Sequence, residues 1–319
     1  MKIINLKHPY QQEEIIDKEL VLALGFFDGV HRGHQEVIKT AVNLANEKGL
    51  PSAVLTFNHT PRLVYEKIHP YRYTYLSIYE RKMELLKALG VDYVYISEFT
   101  YAFGHQKPQE FVDKYIVGLG AKVVVAGFDY TYGPKAIANM ETLENHAKNR
   151  FEIINIPKQV VNNDKIASTS IRHYLRLGKL EKANKELGYV YQTRGIVING
   201  LKRGSTKLGY PTANIASDFE QTIPGIGVYA VELWVQGNWY YGMASIGYNI
   251  TFDDVEDLSV EVYILDFDKM IYGEKVKIKW HHYLREEVKF SSLEELISQL
   301  DQDLIDTQKY FKEQNFSTR

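Results

Sequence analysis

The chain has 319 residues, of which 45% are hydrophobic and 24% are charged, and its formal net charge is −2. This composition is typical of folded globular proteins, and the length suits about two domains. A chain so close to neutral has no general attraction for nucleic acid or for anionic membranes. It contains no cysteine, which excludes disulfide frameworks, thiolate metal sites and cysteine nucleophiles.

The hydropathy of the chain indicates where the protein resides. The amino-terminal stretch MKIINLKHPYQQEE lacks the long apolar core of a secretory signal. No apolar run reaches the roughly 18 residues that a membrane-spanning helix needs. We therefore expect a cytoplasmic protein, with neither nucleic acid nor membrane as a partner. Nothing in the sequence specifies its oligomeric state.

The first half of the chain alternates short β-like runs with helical ones. Runs rich in Val, Ile, Tyr and Phe predict strands at Leu20–Leu24, Ala53–Phe57, Tyr93–Ile96, Val123–Ala126 and Ile153–Ile156. One intervening helix is expected to open with a capping box of Ser77 and Glu80, and another to begin at Pro108. This alternation predicts a parallel sheet covered on both faces, with ligands bound at the carboxyl ends of its strands.

The second half, from about Tyr189, has a different pattern of predicted secondary structure. Its β-rich runs follow one another without helices: TRGIVIN, GVYAVELWV, WYYGMASIG, SVEVYILDF and KVKIKW. The QGN sequence at 236–238 predicts a tight hairpin, and a last helix is expected from Ser292, with Glu295 completing a capping box. The predicted fold class is α/β + β, an α/β domain over 1–186 followed by a small antiparallel β-barrel over 187–319 with a C-terminal helix.

The sequence GFFDGVHRGH at 25–34 places two histidines, His31 and His34, between a predicted strand and a predicted helix. Backbone N–H groups and the dipole at a helix N-terminus favour an anion there, and the glycines of the loop allow a phosphate close to the backbone. A metal site with Asp28 as a further ligand is one alternative. A polar loop in which His34 caps the helix is another. The glycines and the helix start favour a phosphate.

A second polar element lies at STSIR, residues 168–172. Ser168 and Thr169 offer hydroxyl donors at the start of a helical run, and the guanidinium fork of Arg172 suits a phosphate. Simple N-capping by a hydroxyl residue is the alternative. Because both elements occur in one α/β domain, we expect them to form a two-sided clamp on a polyphosphate.

These motifs resemble a known family. GFFDGVHRGH and STSIR are similar to the HxGH nucleotidyltransferases, which have a Rossmann-like domain. The stretches AGFDYTYG and TFNHTP narrow the resemblance to the adenylyltransferase module of bacterial bifunctional FAD synthetases. The second half is similar to the riboflavin kinase module in five stretches: GSTKLGYPTANI, GVYAV, VEVYILDFD, IYGEKVKI and LREEVKF. Both halves occur in the family's order, so the resemblance covers nearly the whole chain.

For the first domain, the resemblance implies that the phosphate of FMN attacks the α-phosphorus of ATP, giving FAD and pyrophosphate. His31 and His34 are then expected to donate hydrogen bonds to phosphoryl oxygens, and the STSIR residues Ser168, Thr169 and Arg172 to hold the pyrophosphate. Further residues expected to bind ATP are Gly25, Phe26, Asp28 and Gly33. Asn58 and Asp129 match positions that line the flavin and nucleotide site, although a loop cap and an Asx turn would also explain them.

For the barrel, the resemblance implies phosphorylation of riboflavin to FMN by MgATP. Glu261 is the expected base, although a solvated glutamate on the outer face of a strand would also explain it. Thr212 and Asn214 are the expected Mg2+ ligands. Contacts to ATP are expected from Gly204, Lys207 and Gly209, and contacts to the flavin from Arg285 and Glu286.

The chain departs from the family pattern at a few positions. Asn58 stands where aspartate is more usual, Ser245 where asparagine is common, and Asn249–Ile250 where Arg-Pro is usual. Loss of one activity therefore stays open. Two other hypotheses remain, an HxGH transferase for a different substrate and a non-catalytic flavin-sensing regulator. The kinase-like motifs argue against the first, and the intact histidines and the lack of a DNA-binding motif argue against the second.

Overall fold

The computed structural model describes residues 1–67, 73–161, 164–199, 210–250 and 256–317. The chain forms two compact units, Met1–Ser168 and Thr169–Arg319. Within the described ranges no helix combines the length and the apolar character needed to cross a membrane.

The first unit contains a parallel sheet. Its strands are β1 Lys2–Leu6, β2 Leu20–Leu24, β3 Ser52–Phe57, β4 Tyr93–Ser97, β5 Ala121–Gly127 and β6 Glu152–Ile156. They lie in the order β1-β4-β3-β2-β5-β6, and each neighbouring pair is parallel. A small antiparallel pair, β7 Val160–Val161 and β8 Asp164–Lys165, follows.

Helices cover both faces of this sheet. They are α1 Arg32–Lys48, α2 Arg62–Tyr65, α3 Tyr79–Ala88, α4 Tyr101–Gly104, α5 Pro108–Phe111, which continues as a π-helical turn over Val112–Val117, and α6 Leu143–Ala147. Leu22 packs in one apolar layer with the α5 segment, whereas its neighbour Ala23 packs in the other with α1 and α3. Since successive strand residues point to opposite faces, a strand buried on both sides has to be apolar throughout.

The second unit contains two short helices and a closed barrel. Helix α7 covers Ser168–Arg176, its first residue being the last of the first unit, and α8 covers Leu180–Leu187. The barrel strands are β9 Tyr191–Ile198, β10 Thr212–Ser217, β11 Gly227–Val235, β12 Asn238–Ile250, β13 Glu256–Ile264 and β14 Lys275–Arg285, and the C-terminal helix is α9 Leu293–Ser317. The strands close in the antiparallel order β10-β13-β12-β11-β14-β9.

The predicted fold class, α/β + β, is confirmed. All five predicted strands of the first half form, but the sequence reasoning missed β1. The two-residue turn Gln236–Gly237 joins β11 to β12 with positive φ at both residues, as a tight hairpin requires. At the last helix, Ser292 Oγ accepts the Glu295 N–H at 3.2 Å, while the Glu295 carboxylate binds Ser291 rather than Ser292.

The prediction of a capping box at Ser77 is wrong. Residue Ile78 occupies the N-cap position of α3 and makes no side-chain capping bond. The Ser77 hydroxyl instead accepts the N–H of Gly29 at 2.8 Å. A tertiary hydrogen bond has therefore replaced the local one that the spacing favoured.

Candidate functional site

The histidine loop lies where the order of the parallel sheet reverses. The neighbours of β2 are β3 on one side and β5 on the other. Sheets of this kind bind ligands in the crevice at such a switch point, outside the carboxyl ends of the strands. The segment 25–31 follows β2 directly, and Phe128 and Asp129 follow β5. The topology therefore brings these two loops to the edge where a ligand is expected.

The backbone of the histidine loop adopts rare conformations. Phe27 has φ 55°, Gly29 has φ 78° and Val30 has φ 37°, and positive φ is costly for a β-branched residue such as valine. The side chains of Phe27 and Val30 are buried. A Cβ atom at Gly25 would lie 2.6 Å from the Phe27 ring, so this position requires glycine. Strain of this kind persists only where the surroundings enforce it, and it is concentrated at functional sites.

Hydrogen bonds to neighbouring segments hold this loop in place. The carboxylate of Asp28, which is 3% exposed, accepts the N–H groups of Leu76 at 3.0 Å and Ser77 at 3.1 Å. The hydroxyl of Ser168 donates to the Asp28 carbonyl at 3.0 Å. One Asp28 oxygen is thus used to position the loop. Across the described residues, no three His, Asp or Glu side chains are grouped so as to hold a metal ion.

The two histidines have different structural positions. His31 is the N-cap of α1, and its Nδ1 accepts the His34 N–H at 3.3 Å. The capping residue is therefore His31 rather than His34, contrary to the alternative raised above. The imidazole rings stack with centroids 3.5 Å apart. The His34 Nδ1 atom is buried and has no hydrogen-bond partner in the described structure. Burial, followed by the influence of His31 and Lys82, lowers the pKa of His34 well below 6.5.

Gly33 and the STSIR residues are the remaining residues predicted to bind phosphate. A Cβ atom at Gly33 would lie 3.3 Å from Cε1 of His31, so glycine leaves room for that ring. Ser168 contacts the histidine loop through the bond already described. Thr169 and Arg172 follow on α7 in the second unit, where Thr169 is exposed and Arg172 is half-buried.

Lys82 is a residue of this region that sequence reasoning missed. It lies on α3 and is 5% exposed. Its Nζ donates to the carbonyl oxygen of Phe26 at 3.0 Å and lies 4.3 Å from the centre of the Phe26 ring. Burial lowers its pKa to about 8, partly offset by Asp28. The signal that could have identified it is the spacing of Ile78, Lys82 and Leu86, which places a lysine within an apolar helical stripe.

Asn58 and Asp129 lie after β3 and β5, the two strands that flank β2. The side-chain oxygen of Asn58 accepts the N–H groups of His59 and Phe99, each at 3.0 Å. Asp129 is exposed and forms an ion pair of 2.5 Å with Lys165. The loop-cap explanation for Asn58 therefore has a structural basis, and Asp129 is held beside a cation at the same edge of the sheet.

In the barrel, Glu261 lies next to two of the residues predicted to act with it. Val260 and Val262 are buried in the barrel core, so Glu261 projects to the opposite face, where it is half-buried. Asn214 is its cross-strand partner on β10. The hydroxyl of Thr212 donates to its carboxylate at 3.0 Å. Oxygen-bearing side chains therefore cluster around this carboxylate.

On the other neighbouring strand, Ser245 of β12 is the cross-strand partner of Glu261. This departure from the family pattern thus lies directly beside the expected base. The other departure, Asn249–Ile250, lies near the end of β12, where only the backbone is described.

The predicted flavin contacts lie at the end of β14. The guanidinium of Arg285 forms a two-point ion pair with Asp303 of α9, with Nε to Oδ1 at 2.8 Å and Nη2 to Oδ2 at 2.7 Å. Asp303 is 2% exposed, whereas Glu286 is exposed. Asp303 was also missed from the sequence, where it is one of several acidic residues on the last helix. The predicted ATP contacts Gly204, Lys207 and Gly209 lie outside the described residues.

Comparison with known proteins identifies both halves of the chain. The family model for FAD synthetase matches residues 13–170, and that for riboflavin kinase matches residues 187–311. A bifunctional riboflavin kinase/FMN adenylyltransferase from Listeria monocytogenes is 50% identical over 98% of both chains. The enzyme of the same description from Bacillus subtilis is 38% identical, also over 98% of both.

A solved structure gives the same result for the fold. A protein from Streptococcus pneumoniae, described as a macrolide-efflux protein, superposes with a TM-score of 0.89 at 36% identity and covers 97% of this chain and 99% of its own. Together with the two family models, the curated relatives assign both reactions, riboflavin to FMN and FMN to FAD, with ATP and flavins as substrates. The chain belongs to the family of bacterial bifunctional riboflavin kinase/FMN adenylyltransferases.

Proposed function

We propose that the histidine loop holds the phosphates of ATP while FMN is adenylylated. The observation that carries this proposal is the position of His31 and His34 in the first turn of α1, at the switch point of the parallel sheet. Helix N-termini bind anions because their first N–H groups lack partners within the helix. The reaction needs no protein nucleophile, since the phosphate of FMN itself attacks the α-phosphorus of ATP.

In this mechanism the side chains neutralise charge and align the reactants. Because Nδ1 of His31 accepts a backbone N–H, a neutral His31 carries its proton on Nε2, which is the atom that donates to a phosphoryl oxygen. The lowered pKa of His34 keeps it neutral near pH 7, so it too acts as a hydrogen-bond donor rather than as an acid. The contact between Ser168 and Asp28 supports a role for Ser168 beside this loop, and the roles of Thr169 and Arg172 stay predictions.

In the barrel, we propose that Glu261 accepts the proton of the riboflavin hydroxyl as it attacks the γ-phosphorus of ATP. The Thr212 hydroxyl donates to Glu261, which fixes the carboxylate as an acceptor and leaves the lone pairs of the hydroxyl oxygen for a cation. Thr212 and Asn214 are neutral oxygen ligands, which suit a magnesium ion held mainly by phosphates. They would hold Mg2+, which supplies charge neutralisation at the ATP phosphates when bound.

Several supporting assignments belong to the same proposal. Arg285 and Glu286 would line the flavin of the kinase site, and Asn58 and Asp129 the flavin and nucleotide of the other. The loop backbone at Gly25, Phe26, Asp28 and Gly33 would approach ATP. We place the functional boundary at 186/187, which the two segments matched by the family models support. A cytoplasmic location stays a prediction.

Pyrophosphate release tests the first assignment. Supplied with FMN and ATP, the parent should release pyrophosphate, and His31→Ala/His34→Ala should lose this activity by at least about 10²-fold, as removal of oxyanion donors does elsewhere. The same preparation of the variant should phosphorylate riboflavin at the parent rate, which shows that the protein is otherwise active. Pyrophosphate release near the parent rate would remove the histidines from the mechanism.

A further inference from the structure

The segment 76–82, which includes the start of α3, forms several hydrogen bonds with the histidine loop. The N–H groups of Leu76 and Ser77 bind the Asp28 carboxylate, the Ser77 hydroxyl accepts the Gly29 N–H, and Lys82 Nζ binds the Phe26 carbonyl. These contacts span residues 26–29, the part of the loop with positive φ at Phe27 and Gly29. The strained conformation therefore depends on the segment 76–82.

Lys82 is the residue of this segment whose burial is energetically unfavourable. A lysine is rarely buried to 5% exposure, because removing an ammonium group from water is unfavourable unless the charge is used or paired. The Phe26 carbonyl already accepts the hydroxyl of Thr56 at 2.9 Å, so the carbonyl would not be left without a partner if Lys82 were absent. Satisfying that oxygen does not by itself account for a buried charge.

The charge lies close to the atoms that matter for phosphate binding. Lys82 is one of the groups that lower the pKa of His34. Asp28 in turn favours the charged form of Lys82. Asp28 belongs to the histidine loop, and His34 lies in the first turn of α1 that follows it. A positive charge in contact with this loop opposes protonation of His34 and favours negative charge on a bound polyphosphate.

We propose that Lys82 is a positioning residue for FMN adenylylation, whose buried ammonium group fixes the Phe26 carbonyl and thereby the loop that presents His31 and His34. In this role Lys82 acts through Phe26 and is assigned no contact with a reacting atom. The inference rests on the proposed role of the histidines, and it adds that the charge is required as well as the hydrogen bond.

Lys82→Met, which keeps an apolar stem of similar length, tests the proposal in the full chain. We expect kcat for FAD formation to fall by about 10²-fold, the effect of roughly 1 Å of misplacement, with the KM values for ATP and FMN within about threefold of the parent. Lys87→Met, on an exposed position of the same helix, should leave both constants unchanged. Unchanged kcat in Lys82→Met, or a loss confined to KM, would overturn the proposal.

The absence of native cysteine allows the charge to be separated from the hydrogen bond. In Lys82→Cys, unfolded for labelling and then refolded, bromoethylamine restores an ammonium group at the Nζ position, whereas iodoacetamide places a neutral amide nitrogen there. Recovery of riboflavin kinase activity and of the parent circular dichroism spectrum reports refolding. We expect the aminoethyl form to return to within about threefold of the parent kcat and the amide form to stay at least about tenfold below it.

Equal activity of the two labelled forms would show that the charge is dispensable and would overturn the proposal. His31→Ala, measured in parallel, distinguishes a failure of the Lys82 proposal from a failure of the histidine mechanism. If it abolishes FAD formation while Lys82→Met does not, the histidine mechanism stands and the role of Lys82 falls. If neither change affects FAD formation, the histidine mechanism itself is wrong.

Discussion

His31 and His34 are joined by a side-chain to backbone hydrogen bond: Nδ1 of His31 accepts the N–H of His34 at 3.3 Å, and their rings stack 3.5 Å apart. One ring nitrogen of His31 thus caps the helix, and the proposed contact to phosphate uses the other. The two functions of the residue, structural and chemical, are therefore separable by substitution.

His31→Asn is expected to preserve stability and to lose activity. The asparagine oxygen can cap α1, whereas His31→Ala should cost about 1 kcal/mol as a lost N-cap. Both variants lack Nε2, so both should form FAD at least about 10²-fold more slowly. Thermal unfolding and FAD formation, measured on both variants, check this. An active asparagine variant would show that His31 serves only as a cap.

Acid should destabilise the first unit through His34. The unfolded chain binds a proton at His34 near pH 6.5, but the folded protein resists it because the pKa is held well below that value. The unfolded state therefore binds more protons as the pH falls below about 6.5, and stability is lost in that range, by at most about 1.4 kcal/mol per pH unit. His34→Gln should show a flatter dependence in unfolding experiments between about pH 5 and pH 7.5. Parallel curves for parent and variant would contradict the assignment.

Gly33→Ala is expected to impair FAD formation without unfolding the protein. Alanine favours a helix over glycine by up to about 1 kcal/mol, but its Cβ would lie 3.3 Å from Cε1 of His31 and displace that ring. We expect at least a tenfold lower kcat/KM for ATP, since small misplacements are costly. Glu36→Ala, at an exposed position of the same helix, serves as the control. Parent-like kinetics for Gly33→Ala would mean that the ring tolerates the shift.

Thr212→Val should impair only the kinase. It removes the hydroxyl that donates to Glu261 at 3.0 Å and one proposed magnesium ligand, with little change in shape. We expect FMN formation from riboflavin to fall by at least about 10²-fold, while FAD formation from supplied FMN stays at the parent rate. Thr212→Ser, which keeps the hydroxyl, should retain most of the activity. Loss of both activities would indicate misfolding rather than a missing ligand.

Asp303→Asn should destabilise the second unit. Asp303 is 2% exposed and binds Arg285 through two oxygens, so its neutralisation leaves a partly buried guanidinium with a weaker partner. Removal of one member of a buried ion pair costs about 3 kcal/mol. Chemical unfolding should show a loss of this order, and riboflavin should bind more weakly if Arg285 lines its site. A variant as stable as the parent would show that solvent compensates the arginine.

The fold could be predicted because most of its strands are continuous apolar runs and because turn sequences such as QGN mark where strands end. Strand β2 was predicted with the bounds that it has, since Leu20–Leu24 is buried on both faces. Strand β1 was missed because KIINL is an edge strand with exposed residues at alternate positions. Its pairing with β4 is a contact between distant segments, which a five-residue sequence pattern does not specify.

The histidine loop was predictable and its supports were not. The spacing of His31 and His34 at the start of α1 is a local pattern, and it indicated a phosphate site. Ser77 was predicted to cap a helix, but it binds the backbone of Gly29 from 48 residues away. Lys82 is buried although lysine is usually exposed, and only its place in an apolar helical stripe indicates this in the sequence. Contacts between distant segments determine both roles.

The measurement that tests the account most directly is a time course of flavins separated by chromatography, with riboflavin, ATP and magnesium supplied to the parent, to Glu261→Gln and to His31→Ala/His34→Ala. The parent should form FMN and then FAD. Glu261→Gln should form neither from riboflavin but should convert added FMN to FAD, and the histidine variant should accumulate FMN. A histidine variant that still forms FAD, or a Glu261→Gln protein that still forms FMN at the parent rate, would contradict the assignment of the two reactions to these residues.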